Sequence, residues 1–157
     1  MKQIQGKSFN IVEDVVGRIT FGKKMFHRSN EIWVSKDASS PAFGYAATIT
    51  TKDTISDNGK PYCVVDNVDE FHEGDVVVVN QQGEIIFVYE VKSNHNAIMA
   101  TERCNHRCIM CPQPPILQEK DKTPFNLKLI SLFDKNTQEI GITGCLLYTS
   151  PSPRDYA

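Results

Sequence analysis

Three cysteines fall within eight positions, Cys104-Asn-His-Arg-Cys108-Ile-Met-Cys111, a Cys-x3-Cys-x2-Cys spacing. Thiolates this close on one segment suit a single metal or redox centre, whereas a secreted disulfide framework spreads its cysteines more widely. Most electron-transfer clusters take four cysteines. Three would leave one iron of a cubane cluster open. An amine and a carboxylate of a small molecule can chelate that open iron, and one electron from the cluster can then cleave a sulfonium bond beside it. The rival chemistry is structural zinc, which wants four ligands, commonly in Cys-x2-Cys pairs. The fourth ligand would have to be His106, His95 or Cys63, and His106 lies between two of the cysteines, poorly placed to reach the same ion.

The elements around this segment are those of an α/β unit. Ala97–Thr101 reads as a short apolar strand, followed by the cysteine segment, Pro112-Gln-Pro-Pro115 and a charged stretch to Lys122. Thr123-Pro124 reads as a helix start, with Thr as N-cap and Pro at the first helical position. Phe125, Leu129, Leu132 and Phe133 recur at helical spacing, and Ile130 widens that stripe into an expected core face. Asp134-Lys-Asn136 ends the helix, and Glu139–Thr143 reads as the next strand. Strand, helix and strand predict one right-handed βαβ unit of a parallel sheet. A loop of about twenty residues between strand and helix exceeds the usual length and points to function. It leaves the C-terminal end of its strand, where α/β proteins keep their chemistry.

Before about Asn94 the chain is β-rich. Val76–Val79 and Glu84–Tyr89 are joined by Asn80-Gln-Gln-Gly83, a hairpin signal with Gly83 free to take positive φ. Both arms are nearly continuously apolar, which predicts cover on two faces. Weaker strand candidates are Phe9–Val12, Gly17–Phe21, Ile32–Ser35, Tyr45–Thr51 and Tyr62–Val65. Many short strands at close spacing predict a small barrel or sandwich. The fold class expected is therefore α+β, with a β-rich domain over 1–95 and the first βαβ unit of a second domain over 96–144.

The cysteine segment resembles the radical SAM superfamily, and so does the strand that follows the helix. The resemblance implies that Ala97–Thr101 is the first strand of a partial (β/α) barrel. It also implies that Cys104, Cys108 and Cys111 hold a [4Fe-4S] cluster. The residue before the third cysteine, aromatic in most relatives and Met110 here, would lie beside the adenine of S-adenosyl-L-methionine. The second strand commonly ends in Gly-Gly-Glu, which binds the amino group of that cofactor; here Gly144 stands at the first of those glycines. Thr101-Glu-Arg-Cys-Asn105 and Cys111-Pro-Gln-Pro-Pro115 are most similar to the His-Xaa-Ser system maturases of the HxsC type, which also carry an N-terminal extension. That similarity implies an enzyme that cleaves S-adenosylmethionine reductively to a 5′-deoxyadenosyl radical and modifies a ribosomally made peptide. An electron donor and a second radical SAM maturase are the implied partners.

From Cys145 the chain reads Cys-Leu-Leu-Tyr-Thr-Ser-Pro-Ser-Pro-Arg-Asp. It back-translates without interruption onto one frame of a transposase-based sequencing adapter. Residues 145–157 are accordingly read as an artefact tail, and the natural enzyme as continuing past Gly144. A fragment missing most of its barrel is expected to be inactive.

Composition narrows the alternatives. A formal charge of −2 supplies no basic field, so neither nucleic acid nor an anionic membrane surface is an expected partner. No apolar run reaches bilayer length and the start lacks a signal peptide, which predicts a cytoplasmic protein. Cys63 reads as a small core residue. His27 and His72 carry no motif, and the acidic run Asp66, Asp69, Glu70, Glu73 and Asp75 reads as a solvated turn. His95, His106, Arg103 and Arg107 flank the cluster segment and could tune it, although exposed loop residues of these types are common. The competing functions are a radical SAM enzyme acting on RNA or a small molecule, and a non-enzymatic zinc module.

Overall fold

The computed structural model describes residues 2–22, 28–52, 56, 58–102 and 121–144. In chain order the strands are β1 (Gln3–Gln5), β2 (Lys7–Phe9), β3 (Val15–Thr20), β4 (Arg28–Ser35), β5 (Tyr45–Thr50), β6 (Tyr62–Val64), β7 (Val76–Val79), β8 (Glu84–Tyr89) and β9 (Ala97–Met99). Helix α1 (Thr123–Leu132) and β10 (Gly141–Thr143) follow.

Eight strands form one sheet in the order β1-β8-β7-β3-β4-β5-β6-β2. Its two outermost strands, β1 and β2, are consecutive in the chain with only Gly6 between them. The N-terminal ribbon therefore pairs with β8 through one half and with β6 through the other, which closes the sheet into a barrel and removes its long free edges. A side chain at Gly6 would sit 2.5 Å from the Val64 carbonyl oxygen and 2.8 Å from the Cys63 sulfur. Only a residue without Cβ lets the ribbon cross there. The Gly6 amide donates to the Gly83 carbonyl at 2.8 Å, fastening the crossing to the β7–β8 turn.

That turn follows the sequence expectation. Gly83 adopts φ +83°, and the Asn80 side-chain oxygen accepts from the amides of Gln82 at 3.0 Å and Glu84 at 2.8 Å. Strands β3, β4, β5 and β6 run parallel to one another, an arrangement the strand patterns did not announce. The expected strand Phe9–Val12 lies instead at Lys7–Phe9, because Asn10 takes φ +57° and turns the chain.

The apolar residues divide between two cores. Ile19, Ile32, Val34, Ile49, Cys63, Val77, Val79, Ile85 and Phe87 fill the barrel interior. Burying each of the aliphatic side chains stabilises the fold by about 1.5–3 kcal/mol. The second core lies outside the barrel wall, where Val16, Val76, Val78 and Tyr89 meet Ile98, Leu129, Leu132 and Phe133. The four valines of β7 thus alternate between the two cores, and all are buried. This is the two-faced cover that the continuous apolar run predicted.

Strands β9 and β10 pair in parallel, with Gly141 opposite Ala97 and Thr143 opposite Met99, around a connection that contains α1. The fold is mixed α+β, mostly β-sheet with one helix among the described residues. Two local expectations need correction. Thr123 is the first helical residue rather than the cap; Lys122 occupies the cap position, and its side chain makes no capping hydrogen bond to the helix. The Asp121 carboxylate, one residue further out, accepts from the Thr123 amide at 2.9 Å. The helix also does not bury its whole apolar stripe. Leu129, Leu132 and Phe133 are buried, but Phe125 and Ile130 are 40% and 48% exposed, since the barrel wall covers only one side of the helix.

Candidate functional site

The expected cluster ligands Cys104, Cys108 and Cys111, and the expected adenine neighbour Met110, lie outside the described residues, as do Arg103, His106 and Arg107. His27 and the 145–157 tail also lie outside them. What the structure describes is the frame on either side of the cysteine segment.

On the entry side, β9 ends at Met99, shorter than the expected Ala97–Thr101 because the ladder partner β10 is itself short. The Ala100 amide donates to the Thr143 carbonyl at 2.7 Å. The parallel register therefore brings the chain leaving β9 toward the cysteines alongside Gly144, the last described residue and the second expected cofactor contact. Both strands deliver their C-terminal ends to the same edge of the small sheet.

On the return side, Lys122 Nζ lies 2.5 Å from Glu102 Oε2, a charge-assisted contact between the residues that bracket the segment. The Asn126 side-chain amide donates to the Met99 carbonyl at 3.1 Å, tying the first turns of α1 to the end of β9. Hydrogen bonds from Thr123 hold the Asp121 carboxyl below the usual carboxylate range, so it stays ionised at the head of the helix. These contacts tie the strand end to the helix start among the described residues.

The barrel is fixed to this frame by polar as well as apolar contacts. Arg18 on β3 forms an ion pair with Asp134 at 3.1 Å. The Tyr89 hydroxyl lies 2.6 Å from the Thr137 hydroxyl, and the Tyr89 and Phe133 rings stack with centroids 4.7 Å apart.

The acidic run is the solvated turn that its composition suggested at Asp66, Asp69, Glu70 and Glu73, which are exposed, but not at its last member. Asp75 is fully buried. Its carboxylate accepts from the His72 amide at 2.9 Å and the Val91 amide at 2.9 Å, and His72 Nδ1 lies 3.4 Å away. Glu73 accepts from the Thr20 hydroxyl and the Phe21 amide. Asp75 thus satisfies the backbone where the chain enters β7 and leaves β8, and Glu73 where it leaves β3. Asp69 and Glu70 do face solvent, where they pair with Lys36 and Lys2. Cys63 is a core residue as expected, and burial pushes its thiol up to about 12, which keeps it protonated and inert at neutral pH.

Among the described residues no group of three or more His, Cys, Asp or Glu is arranged to hold a metal ion. No described helix is long and apolar enough to cross a membrane. No protein-family model, curated protein or solved structure matches the chain.

Proposed function

We propose that this chain belongs to a radical SAM enzyme, with Cys104, Cys108 and Cys111 holding a [4Fe-4S] cluster beside the ends of β9 and β10. The observation that supports this reading is the parallel pairing of those strands, with the Ala100 amide on the Thr143 carbonyl. An α/β site is assembled at the C-terminal ends of adjacent parallel strands, and here the cysteine segment and Gly144 leave from that edge together. The donor set fits the cluster: three thiolates in one short segment leave one iron for the amine and carboxylate of S-adenosylmethionine. When bound, the cluster supplies the electron that cleaves the sulfonium bond.

The protein's own part is to hold the frame. The Glu102–Lys122 pair and the Asn126–Met99 hydrogen bond keep both ends of the cysteine segment at the strand ends. Gly144, without a side chain, leaves room beside them for the cofactor's amino group. Met110 supplies an apolar surface for the adenine. The substrate on this reading is a ribosomally made peptide of the His-Xaa-Ser type, with an external electron donor and a second maturase as partners.

The test is anaerobic reconstitution with iron and sulfide, followed by absorption and EPR spectroscopy with and without S-adenosylmethionine. The expected result is a brown protein whose reduced-cluster signal changes when the cofactor is added, with iron binding abolished by Cys104→Ala, Cys108→Ala or Cys111→Ala. A colourless protein holding one zinc would overturn the reading and make the segment a structural metal module.

A further inference from the structure

Between the barrel wall, β9 and the start of α1 runs a groove of about 480 Å³. Val88, Ile98, Phe125 and Leu129 give it an apolar floor. Two carboxylates border it, one from each unit: Asp14, just before β3, and Asp121, just before α1. The lysine at the groove, Lys122, has its charge answered by Glu102 at 2.5 Å. Asp14 is exposed and makes no ion pair among the described residues. Asp121 is held in its ionised form by hydrogen bonds from Thr123. Among the described residues the rim therefore carries two carboxylates without a salt-bridge partner over an apolar floor.

We propose that this groove is the docking seat of a polypeptide segment that sets an apolar side chain beside a lysine or arginine. An apolar anchor would cover Phe125, which is 40% exposed although it lies at the groove floor. A neighbouring cation would extend its methylene stem along the same floor and place its charge between Asp14 and Asp121. Apolar centre and charged rim is the arrangement of protein-recognition surfaces. The same carboxylates repel the phosphates of nucleic acid, the headgroups of an anionic membrane and acidic peptides. The groove is open to solvent along its rim, unlike the enclosed cavities that bury most of a small ligand. A chain that continues beyond it on both sides is therefore the better fit. This inference stands apart from the iron–sulfur reading, because every described residue that lines the groove lies outside the cysteine segment.

The experiment uses the whole chain without added iron and a fluorescein-labelled short peptide alternating leucine and lysine, read by fluorescence anisotropy. Two companion peptides replace every leucine by serine or every lysine by glutamate. Binding of the leucine–lysine peptide is expected, with both companions weaker by about ten-fold or more, the scale of losing a central anchor or its charge partner. Asp14→Lys and Phe125→Ser are each expected to cost about ten-fold. Leu127→Ser, on the same helix but outside the groove, leaves binding unchanged. Asp14 is exposed, so its reversal leaves the packing intact and keeps the test decisive even if Phe125→Ser loosens the helix. Failure of the leucine–lysine peptide to bind, equal binding of the glutamate peptide, or indifference to Asp14→Lys would overturn the proposal. Cluster content, measured separately, distinguishes this failure from failure of the iron–sulfur reading.

Discussion

Strand β7 is buried along its whole length, whereas β10 is exposed along its whole length. Val76 and Val78 face α1 while Val77 and Val79 face the barrel interior, so β7 has a core on each side. Ile142 on β10 is 62% exposed. The same contrast separates the two units. The barrel closes on itself and owns its core. The βαβ unit assembles its core against the barrel's outer wall and leaves Phe125, Leu127, Ile130 and Ile142 uncovered. The barrel is thus the foundation on which the frame of the candidate site is built, rather than a tethered neighbour.

That dependence can be broken from the barrel side first. Ile49 is completely buried in the barrel core, and Ile49→Ala is expected to cost about 2–5 kcal/mol. Urea unfolding followed by hydrogen exchange should show the amides of α1 losing protection together with those of β7. Protection retained in α1 after the barrel opens would mean that the second unit stands alone. A smaller effect is expected at the seam. Asp75→Ala strips the partner from two backbone amides, His72 and Val91, at a cost of about 1–3 kcal/mol. Its signature would be selective loss of protection at those two amides, and Asp75→Asn should recover part of it.

The polar tie between the units offers a gentler probe. The backbone hydrogen bond from Asn136, helped by the charge of Arg18, holds the Asp134 carboxyl below its ordinary value. A depressed folded-state pKa means that this contribution is present above the unfolded value, about 3.9, and is lost as pH falls through the folded one. The docking of α1 should therefore weaken only in acid, below about pH 4. Asp134→Asn should flatten that acid limb in a thermal-melt series. An unchanged limb would show that other carboxylates control it. At the smallest end, Leu127→Glu is expected to shift stability by no more than about 0.5 kcal/mol, since Leu127 is 61% exposed. A large loss in thermal melts would reveal cover on this side of the helix and remove the contrast with β7.

The features legible in the sequence were those set by neighbours in the chain. The Asn80–Gly83 turn needs only a side-chain acceptor and a residue tolerant of positive φ. Continuous valines in β7 announced cover on two faces because no single-faced strand requires them. The βαβ order announced a parallel pair, and Cys63 between apolar neighbours announced a core thiol. The Cys-x3-Cys-x2-Cys spacing is likewise a local pattern, and its role as a ligand set is a proposal. The misreadings share the opposite cause. Asp75 looked like part of a solvated run, because nothing in the run shows that the His72 and Val91 amides converge on it. Phe125 and Ile130 looked like core, because periodicity shows which residues share a face and not which part of that face meets another surface. The ribbon strand β1 is three residues long and two of them are glutamine, too weak a pattern to stand out.

By itself, the order of residues determined the local patterns: the close spacing of three cysteines, the asparagine–glycine turn, the valine strand and the strand–helix–strand succession. Tertiary structure alone decided that Gly6 crosses from one edge of the sheet to the other. It likewise decided that four strands run parallel, that Asp75 is internal, and that the barrel wall is the floor on which α1 rests. Turn geometry and ligand spacing depend on residues a few positions apart, where the chain's covalent reach fixes the outcome. Barrel closure and docking join residues far apart in the chain, and burial of their shared apolar surface, not any short pattern, selects which of them meet.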